Sequence, residues 1–350
     1  MRTFYFAYIL GGFLILGVIL AAGRGDRMGP ITQMIPKALL ECAGATLLEH
    51  LVDILRQNNI DEIILGVGYK HEKISSFVEK RFQTTHLTLV EVPSYEIGAL
   101  ETLVMSTSGI DQRVLICPVD MFAESSVLRN VINVHHEQPE SIVTLGIDTS
   151  FEAGTPVSVD SEGRLTGIGH DIDESSISGT SAMVLVAEAS FLKLCRECRK
   201  EGVTSIVQVL KEMQLRGIEI GTAKISGTWF DIDTVSALLD ANRVFLEREH
   251  PQFPGFYMPL NDTLEFGDSL ELNANVKMGV GVTINGPVFV AHQSTIGANS
   301  SIGPHVSLGR NNYIGERCTI ADAVLFDSTT IRERTSLSRA VVCNNRVFTE

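Results

Sequence analysis

Hydrophobic and polar positions alternate regularly over the first two thirds of the chain. From Leu16 to about Glu249, short apolar runs alternate with longer segments that have the period of an amphipathic helix. The runs predict strands at 17–20, 62–67, 87–92, 113–117, 141–146 and 182–186. The longer segments predict helices at 46–57, 71–81, 99–106, 123–138, 189–201, 205–216 and 234–248. This order is typical of an α/β fold whose mostly parallel sheet is covered on both faces and binds its ligand at the carboxyl ends of the strands.

The C-terminal region has a different period. Aliphatic residues recur every six positions at Ile284, Val290, Ile296, Ile302, Leu308, Ile314 and Ile320, and after one slip the period resumes at Ile331 and Leu337. The repetition predicts a solenoid of triangular coils, and it resembles the hexapeptide repeats of left-handed β-helices. We therefore expect an apolar extension at 1–16, an α/β domain at 17–250 and a left-handed parallel β-helix at 251–350, with a linker at 251–255.

The extension at 1–16 belongs to a longer stretch, residues 4–22, that has no charged side chain and is long enough for a membrane span. The first predicted strand and the residues that lead from it into the next turn use 17–22, which leaves about thirteen apolar residues, too few to cross a bilayer. We expect a short extension or a start codon assigned too far upstream, with a membrane anchor as the alternative.

Composition and charge exclude several classes of partner. The chain has 350 residues, a net charge of -14 and 44% hydrophobic residues, which is typical of a globular protein that would be repelled by nucleic acid and anionic membranes. Six scattered cysteines in so large a chain indicate reduced thiols and a cytoplasmic protein. The pair Cys195 and Cys198 has no second such pair to complete a zinc site, so incidental thiols are favoured over a metal or redox function.

A phosphate-binding loop is predicted directly after the first strand. The strand leads into LAAGRGDRM at 20–28, and a Pro-Lys pair follows at 36–37. Gly23 and Gly25 let the backbone turn tightly and bring its N–H groups against a polyphosphate, while Arg27 and Lys37 supply positive charge. The alternative is an ordinary strand-turn-helix with a surface arginine and lysine.

This stretch resembles the L-A-A-G-x-G-x-R-M/L…P-K signature of nucleotidyltransferases that join an NTP to a sugar-1-phosphate or a related phosphate. The resemblance implies a Rossmann-like nucleotidyltransferase domain, with Arg27 on the triphosphate and Lys37 shared with the attacking phosphate as the catalytic cations. The nucleotide contacts that it implies are at Ala21, Ala22, Gly23, Gly25, Arg27 and Gly98.

The resemblance also implies a Mg²⁺ site. The segment LICPVD ends in Asp120, although Pro118 and Val119 replace the usual small residues, and WFDIDT at 229–234 resembles the family's W-x-D-I-D-T segment. By this match Asp120 and Asp233 hold Mg²⁺, with Asp231 either behind them or as an alternative ligand. An Asp or Thr in the same segment would also suit the N-cap of the following helix.

The matches for base and acceptor are looser. Tyr95 to Thr102 takes the place of the family's base-contacting element, where Gly98 would let the backbone approach the base; for Tyr95 and Glu101 the alternative is an exposed turn and a solvated helix face. On the acceptor side His170 stands where related enzymes carry a lysine, and Gly179 follows in the acceptor-side position. The resemblance implies that His170 contacts the acceptor phosphate and that Gly179 belongs to the acceptor-binding side; the alternative for His170 is a solvated turn that touches no substrate.

We therefore expect a Mg²⁺-dependent nucleotidyltransferase of nucleotide-sugar biosynthesis that uses an NTP and a sugar or polyol phosphate and forms a homo-oligomer through the β-helix. Two alternatives remain open. One is a regulatory or scaffolding homologue that binds nucleotide with little turnover. The other is a bifunctional enzyme with acyl transfer in the β-helix, where His292 and His305 are the only histidines.

Overall fold

The computed structural model describes residues 15–150, 154–248 and 253–349. Most of the predicted extension at 1–16 and the start of the predicted linker at 251–255 lie outside the described residues. Within the described residues, no helix is both long enough and apolar enough to cross a membrane. All six cysteines are free and buried.

The α/β part contains one large sheet and two small ribbons. Its strands are β1 (Leu16–Ala21), β2 (Glu41–Cys42), β3 (Ala45–Thr46), β4 (Glu62–Val67), β5 (His86–Glu91), β6 (Val114–Pro118), β7 (Met121–Ala123), β8 (Val143–Asp148), β9 (Thr155–Val159), β10 (Leu165–Ile168), β11 (Gly179–Ala187), β12 (Gly221–Lys224) and β13 (Trp229–Asp231). Its helices are α1 (Pro30–Met34), α2 (Leu47–Gln57), α3 (His71–Arg81), α4 (Ala99–Ser106), α5 (Ser125–Glu137), α6 (Ala189–Lys200), α7 (Ile206–Leu215) and α8 (Val235–Arg248).

The large sheet has the order β10-β9-β11-β6-β1-β4-β5, and β8 pairs with both β11 and β12. Strands β6, β1, β4 and β5 are parallel, so the first strand lies in the middle of the parallel part. Helices cover both faces: Ile19 packs with α2, α3 and α5, whereas Val18 packs with α4, α6 and α7. This two-sided burial explains why β1 is a continuous apolar run.

The predicted strands and helices match observed elements, with ends that differ by a few residues. The pattern did not indicate β7, β9, β10, β12 or β13, which are short and mostly half-buried or at a sheet edge. Nor did it indicate that β11 runs antiparallel to β6, β8 and β9. The sheet is therefore mixed, with its parallel part confined to one half and to the β8–β12 pair.

The C-terminal region is the β-helix that the six-residue period predicts. Its strands are β14 (Gly255–Met258), β15 (Thr263–Phe266), β16 (Leu270–Leu272), β17 (Val276–Met278), β18 (Val282–Asn285), β19 (Val288–Ala291), β20 (Thr295–Ile296), β21 (Ser301–Ile302), β22 (Val306–Leu308), β23 (Tyr313–Ile314), β24 (Thr319–Leu325), β25 (Thr330–Ile331), β26 (Ser336–Cys343) and β27 (Arg346–Thr349).

Successive coils stack the period-six residues on one another. Ile284 pairs with Ile302, 18 positions later, and both are fully buried in the core of the coil. Ile314 pairs with Ile331, only 17 positions later, so the slip in the sequence is a coil that is one residue shorter. Antiparallel strands cover both ends of the stack, with β14, β15 and β16 at the start and β27 at the end. Such end strands cap the edges of the solenoid.

The β-helix packs directly on the α/β part through α8. Leu238, Phe245 and Leu246 of α8 share one hydrophobic core with Phe289 and Val324 of the β-helix. Cys42 of β2 and Ala43 of the turn that follows belong to the same core, a few positions after Lys37.

Candidate active site

The glycine loop packs against the lysine that follows it. Gly25 has a φ of 68°, a left-handed conformation that glycine adopts without strain. Its carbonyl accepts hydrogen bonds from the Met28 amide and the Thr32 hydroxyl, each at 3.0 Å. A Cβ at Gly25 would lie 3.3 Å from Lys37 Cδ, so the glycine leaves room for the lysine side chain.

Lys37 lies between two carboxylates. The side chain is buried, and its Nζ donates to Asp120 Oδ2 at 2.5 Å and to Asp233 Oδ1. Burial alone would lower the pKa of the Lys37 ammonium, but Asp120 and then Asp233 outweigh it, and the pKa is raised. The lysine is therefore held as a cation at the carboxyl ends of β1 and β6.

Local backbone pairing brings the acids of two distant segments together. In the β7–β13 ribbon Asp231 pairs with Met121, and the Ile232 amide donates to the Asp120 carbonyl at 3.0 Å. Asp233 follows directly, with its amide 3.0 Å from the Asp231 carbonyl. One ligand oxygen from each of the three acids lies within 4.8 Å of the others.

The helix cap in this segment comes from Thr234. Its Oγ1 accepts the Ala237 amide at 3.1 Å, at the start of α8. Capping by threonine leaves the Asp233 carboxylate to the site.

The three acids form a set that fits a divalent cation. Asp233 Oδ2 is buried and contacts the Arg27 guanidinium without an aligned hydrogen bond. Burial, followed by the Asp120 and Asp233 carboxylates, raises the pKa of Asp231 to about 7. Carboxylate oxygens are donors that Mg²⁺ prefers. The cluster offers such oxygens, and one of them, Asp233 Oδ2, accepts no hydrogen bond from the described residues.

A cavity of about 290 Å³ opens over these groups. Its lining residues include most of the predicted nucleotide, cation and metal positions: Leu20, Ala21, Gly23, Gly25, Asp26, Arg27, Lys37, Val119, Asp120 and Asp233. A Cβ at Gly23 would have no neighbour within 4 Å among the described residues, so this stretch of backbone is open to a ligand. The site therefore combines exposed loop backbone, two cations and clustered acids in one cavity.

The predicted base-side residues have contacts within the chain. A Cβ at Gly98 would lie 2.4 Å from the Thr204 carbonyl, so the chain itself requires glycine there. Glu101 is only 1% exposed and pairs with Arg199 and the Ser94 hydroxyl, so the alternative of a solvated helix face is wrong for Glu101. Gly98 does not line the cavity described above.

The predicted acceptor-side residues also lie outside that cavity. His170 is exposed in the turn after β10. Gly179 begins β11, where a Cβ would lie 2.4 Å from the Asp148 carbonyl. A lysine from another element reaches this turn, since Lys211 of α7 pairs with Asp171 at 2.5 Å. Sequence reasoning missed Lys211 because no local pattern links α7 to this turn.

One of the two histidines of the β-helix, His305, contacts carboxylates on both sides. Both ring nitrogens of His305 are held by carboxylates, Nδ1 by Asp322 at 3.0 Å and Nε2 by Glu247 at 2.8 Å. His305 therefore ties the β-helix to α8.

The fold and the site together define a nucleotidyltransferase-type α/β domain joined to a β-helix. The chain belongs to the MobA-like NTP transferase family, whose domain profile matches residues 17–214. The profile of the GMPPB C-terminal domain matches residues 284–349.

Two curated relatives carry bifunctional names. The chain is 26% identical over 252 residues to the bifunctional protein GlmU of Methanococcus vannielii, covering 68% of this chain and 56% of the relative. It is 28% identical over 220 residues to the bifunctional IPC transferase and DIPP synthase of Aquifex aeolicus, covering 62% and 48%. The chain thus spans about half the length of these relatives.

Solved structures share the fold. The inositol-1-phosphate CTP transferase of T. maritima superposes with a TM-score of 0.57 at 20% identity, covering 65% of this chain and 92% of that one. A UDP-glucose pyrophosphorylase solved with UDP-glucose gives a TM-score of 0.56 at 13% identity, covering 66% and 98%.

Proposed function

We propose that this protein is a Mg²⁺-dependent nucleotidyltransferase that joins an NTP to a sugar-1-phosphate or a polyol phosphate and releases pyrophosphate. One observation carries the proposal: Lys37 lies between Asp120 and Asp233 beside an open glycine loop. A buried ammonium, clustered acids and free loop backbone are the groups that phosphate transfer needs. Membership of the NTP transferase family supports the same reaction.

Catalysis by this site consists of alignment and charge stabilisation. An oxygen of the acceptor phosphate attacks the α-phosphorus of the NTP, the bond to the β-phosphate oxygen breaks, and pyrophosphate leaves. The N–H groups near Gly23 and Gly25 hold the phosphates, Arg27 neutralises the leaving pyrophosphate, and Lys37 stabilises charge between the attacking phosphate and the α-phosphate.

The acids supply the metal site. Asp120 and Asp233 would hold Mg²⁺, with Asp231 close enough to take part. When bound, the ion neutralises negative charge on the phosphates. Lys37 contacts both Asp120 and Asp233, and Arg27 contacts Asp233, so the two cations balance the charge of these acids and would lie next to the phosphates.

The acceptor is a phosphate monoester of a sugar or polyol. The names of the relatives support this class, since they include inositol-1-phosphate CTP transferase and UDP-glucose pyrophosphorylase. We assign contact with the acceptor phosphate to Lys37, with His170 and Gly179 on the acceptor side outside the cavity. We assign contacts with the nucleotide base to the loop that ends at Gly98.

The test is pyrophosphate release measured with a coupled enzyme assay. The four common NTPs and dTTP are each paired with hexose, hexosamine and inositol phosphates in the presence of Mg²⁺. A preceding thermal-shift screen identifies ligands, because a ligand that binds only the native state raises the melting temperature. We expect one pair to give turnover that requires acceptor and Mg²⁺. Tight NTP binding without turnover with any acceptor would favour the nucleotide-binding homologue instead.

A further inference from the structure

The segment that carries Lys37 is built against the β-helix. A 3₁₀ turn at Lys37–Leu39 is followed within four positions by Glu41 of β2, and the β2–β3 hairpin then leads into α2. The Leu40 amide donates to the Lys37 carbonyl at 3.0 Å, and the Leu47 amide donates to the Leu40 carbonyl at 2.9 Å. A shift of the hairpin would therefore move the backbone of Lys37 with it.

Charged side chains join this hairpin to one coil of the β-helix. Glu41 is buried, and its Oε1 accepts the Asp327 amide at 2.8 Å. Gly309 lies so close that a Cβ there would be 2.4 Å from Glu41 Oε2. Arg310 donates from Nε to Asp327 at 2.7 Å and from NH1 to Glu49 Oε1 at 3.3 Å. Arg310 thus connects the coil to the first turn of α2.

The charges of this cluster are balanced. Arg81 also pairs with Glu49, at 2.7 Å, so two guanidinium groups face the carboxylates of Glu49 and Asp327. Burial, followed by the Asp327 carboxylate, raises the pKa of the Glu41 carboxyl well above its ordinary value. That shift favours the protonated form, which adds no further charge to the buried cluster.

Uncharged contacts hold the tip of the same hairpin. A Cβ at Gly44 would lie 2.4 Å from the Phe289 ring, so the turn lies flat on the β-helix. Asn242 of α8 accepts the Ala43 amide at 3.0 Å and the Ser307 hydroxyl at 2.6 Å. The hairpin is therefore enclosed between α8 and the coil.

We propose that Glu41 and Arg310 are positioning residues for Lys37, through which the β-helix holds the lysine between Asp120 and Asp233. The effect of these contacts on catalysis rests on the proposed function. The contacts themselves lie outside the active site, because neither residue lines its cavity. A displacement of about 1 Å in a catalytic group can cost about a hundredfold in rate, so this support bears directly on turnover.

The first test measures the position of Lys37 without relying on turnover. The full-length protein is treated with an amine-acylating ester, and mass spectrometry compares labelling of Lys37 with labelling of the exposed Lys80. The buried, doubly paired Lys37 should label slowly, and Arg310→Ala should raise its relative labelling by about fivefold or more. Glu41→Ala should act in the same direction. Arg332→Ala, which alters an exposed arginine of the β-helix, is the matched control.

Circular dichroism establishes that each variant is folded. If Arg310→Ala does not fold, Arg310→Lys retains a cation but loses the forked contact to Asp327 and Glu49, and it should still raise Lys37 labelling. Unchanged labelling of Lys37 in folded Arg310→Ala, or in folded Arg310→Lys where the alanine variant fails to fold, would overturn the proposal.

The second test is a double-mutant cycle with the active substrate pair. Arg310→Ala should lower kcat by about tenfold with a smaller change in the KM for NTP. In a Lys37→Met background Arg310→Ala should change kcat by less than about twofold, because the ammonium that Arg310 is proposed to position is already absent. Equal effects in both backgrounds would show that Arg310 does not act through Lys37. If labelling responds as expected but the wild type releases no pyrophosphate, the proposed function fails and the structural link remains.

Discussion

Replacing Lys37 by methionine removes the ammonium while keeping most of the buried side-chain volume. Nζ lies 2.5 Å from Asp120 Oδ2 and also contacts Asp233, so it is a charge-stabilising group at hydrogen-bond distance from the acids. An ammonium about 4 Å from a unit negative charge on the reacting phosphates, at an effective dielectric constant of about 20, would gain about 4 kcal/mol. Part of that stabilisation already exists before the reaction. We expect at least about 2.7 kcal/mol to be specific to the transition state, or about a hundredfold in turnover.

The assay is pyrophosphate release at saturating NTP and acceptor, with the substrate pair that the wild type uses. Lys80→Met changes an exposed lysine of α3 and is the matched control, with turnover expected near that of the wild type. Arg27→Ala should also lose about a hundredfold. Turnover of Lys37→Met within a few fold of the wild type would refute the role assigned to the lysine.

The remaining predictions concern the metal, the domain contact, the acceptor and the assembly. Asp120→Asn and Asp233→Asn should each abolish Mg²⁺-dependent turnover with an unchanged circular dichroism spectrum, and Asp231→Asn should be milder; full activity in either of the first two would contradict the metal assignment. The pKa of Glu41 is higher in the folded than in the unfolded chain, so its stabilising contribution is present below the ordinary value of 4.5 and is lost as the pH rises through the folded value. Urea unfolding across pH should therefore show a decline that Glu41→Gln reduces, and parallel curves would count against the buried acid. His170→Ala should raise the KM for the acceptor but not for NTP, and initial rates that leave both unchanged would remove His170 from the site. Light scattering at micromolar concentration should give a mass above that of one chain, whereas a strict monomer would exclude the predicted homo-oligomer.

Short local motifs were enough to predict the groups that we propose for the site at the ends of strands. Lys37 belongs to a Pro-Lys pair, and Asp120 ends the segment LICPVD. Asp233 lies in the segment WFDIDT, directly before a predicted helix. Strand order then brings these ends together, because β1 and β6 are neighbours and β7 pairs with β13. The sequence-predicted metal and lysine positions accordingly share one cavity.

Features that depend on close approach between distant segments could not be read from the sequence. Gly98 faces the Thr204 carbonyl, and Gly179 faces the Asp148 carbonyl, yet a glycine in the sequence does not reveal its neighbour. The contact of Arg310 with Glu49 joins positions 261 residues apart. Periodicity predicted a β-helix, but only the contact of Gly44 with Phe289 and the bonds of Asn242 to Ala43 and Ser307 show that the hairpin after Lys37 lies against it.

The most direct test of the account follows oxygen atoms from the acceptor phosphate to the products. The acceptor of the active pair is labelled with ¹⁸O in its phosphate and incubated with NTP, Mg²⁺ and the wild-type protein, and the products are analysed by mass spectrometry. Attack of the acceptor phosphate on the α-phosphorus predicts that all of the label appears in the nucleotide-linked sugar or polyol and that pyrophosphate is unlabelled. Label in pyrophosphate or in free orthophosphate, or an NTP consumed without a nucleotide-linked product, would contradict the proposed reaction.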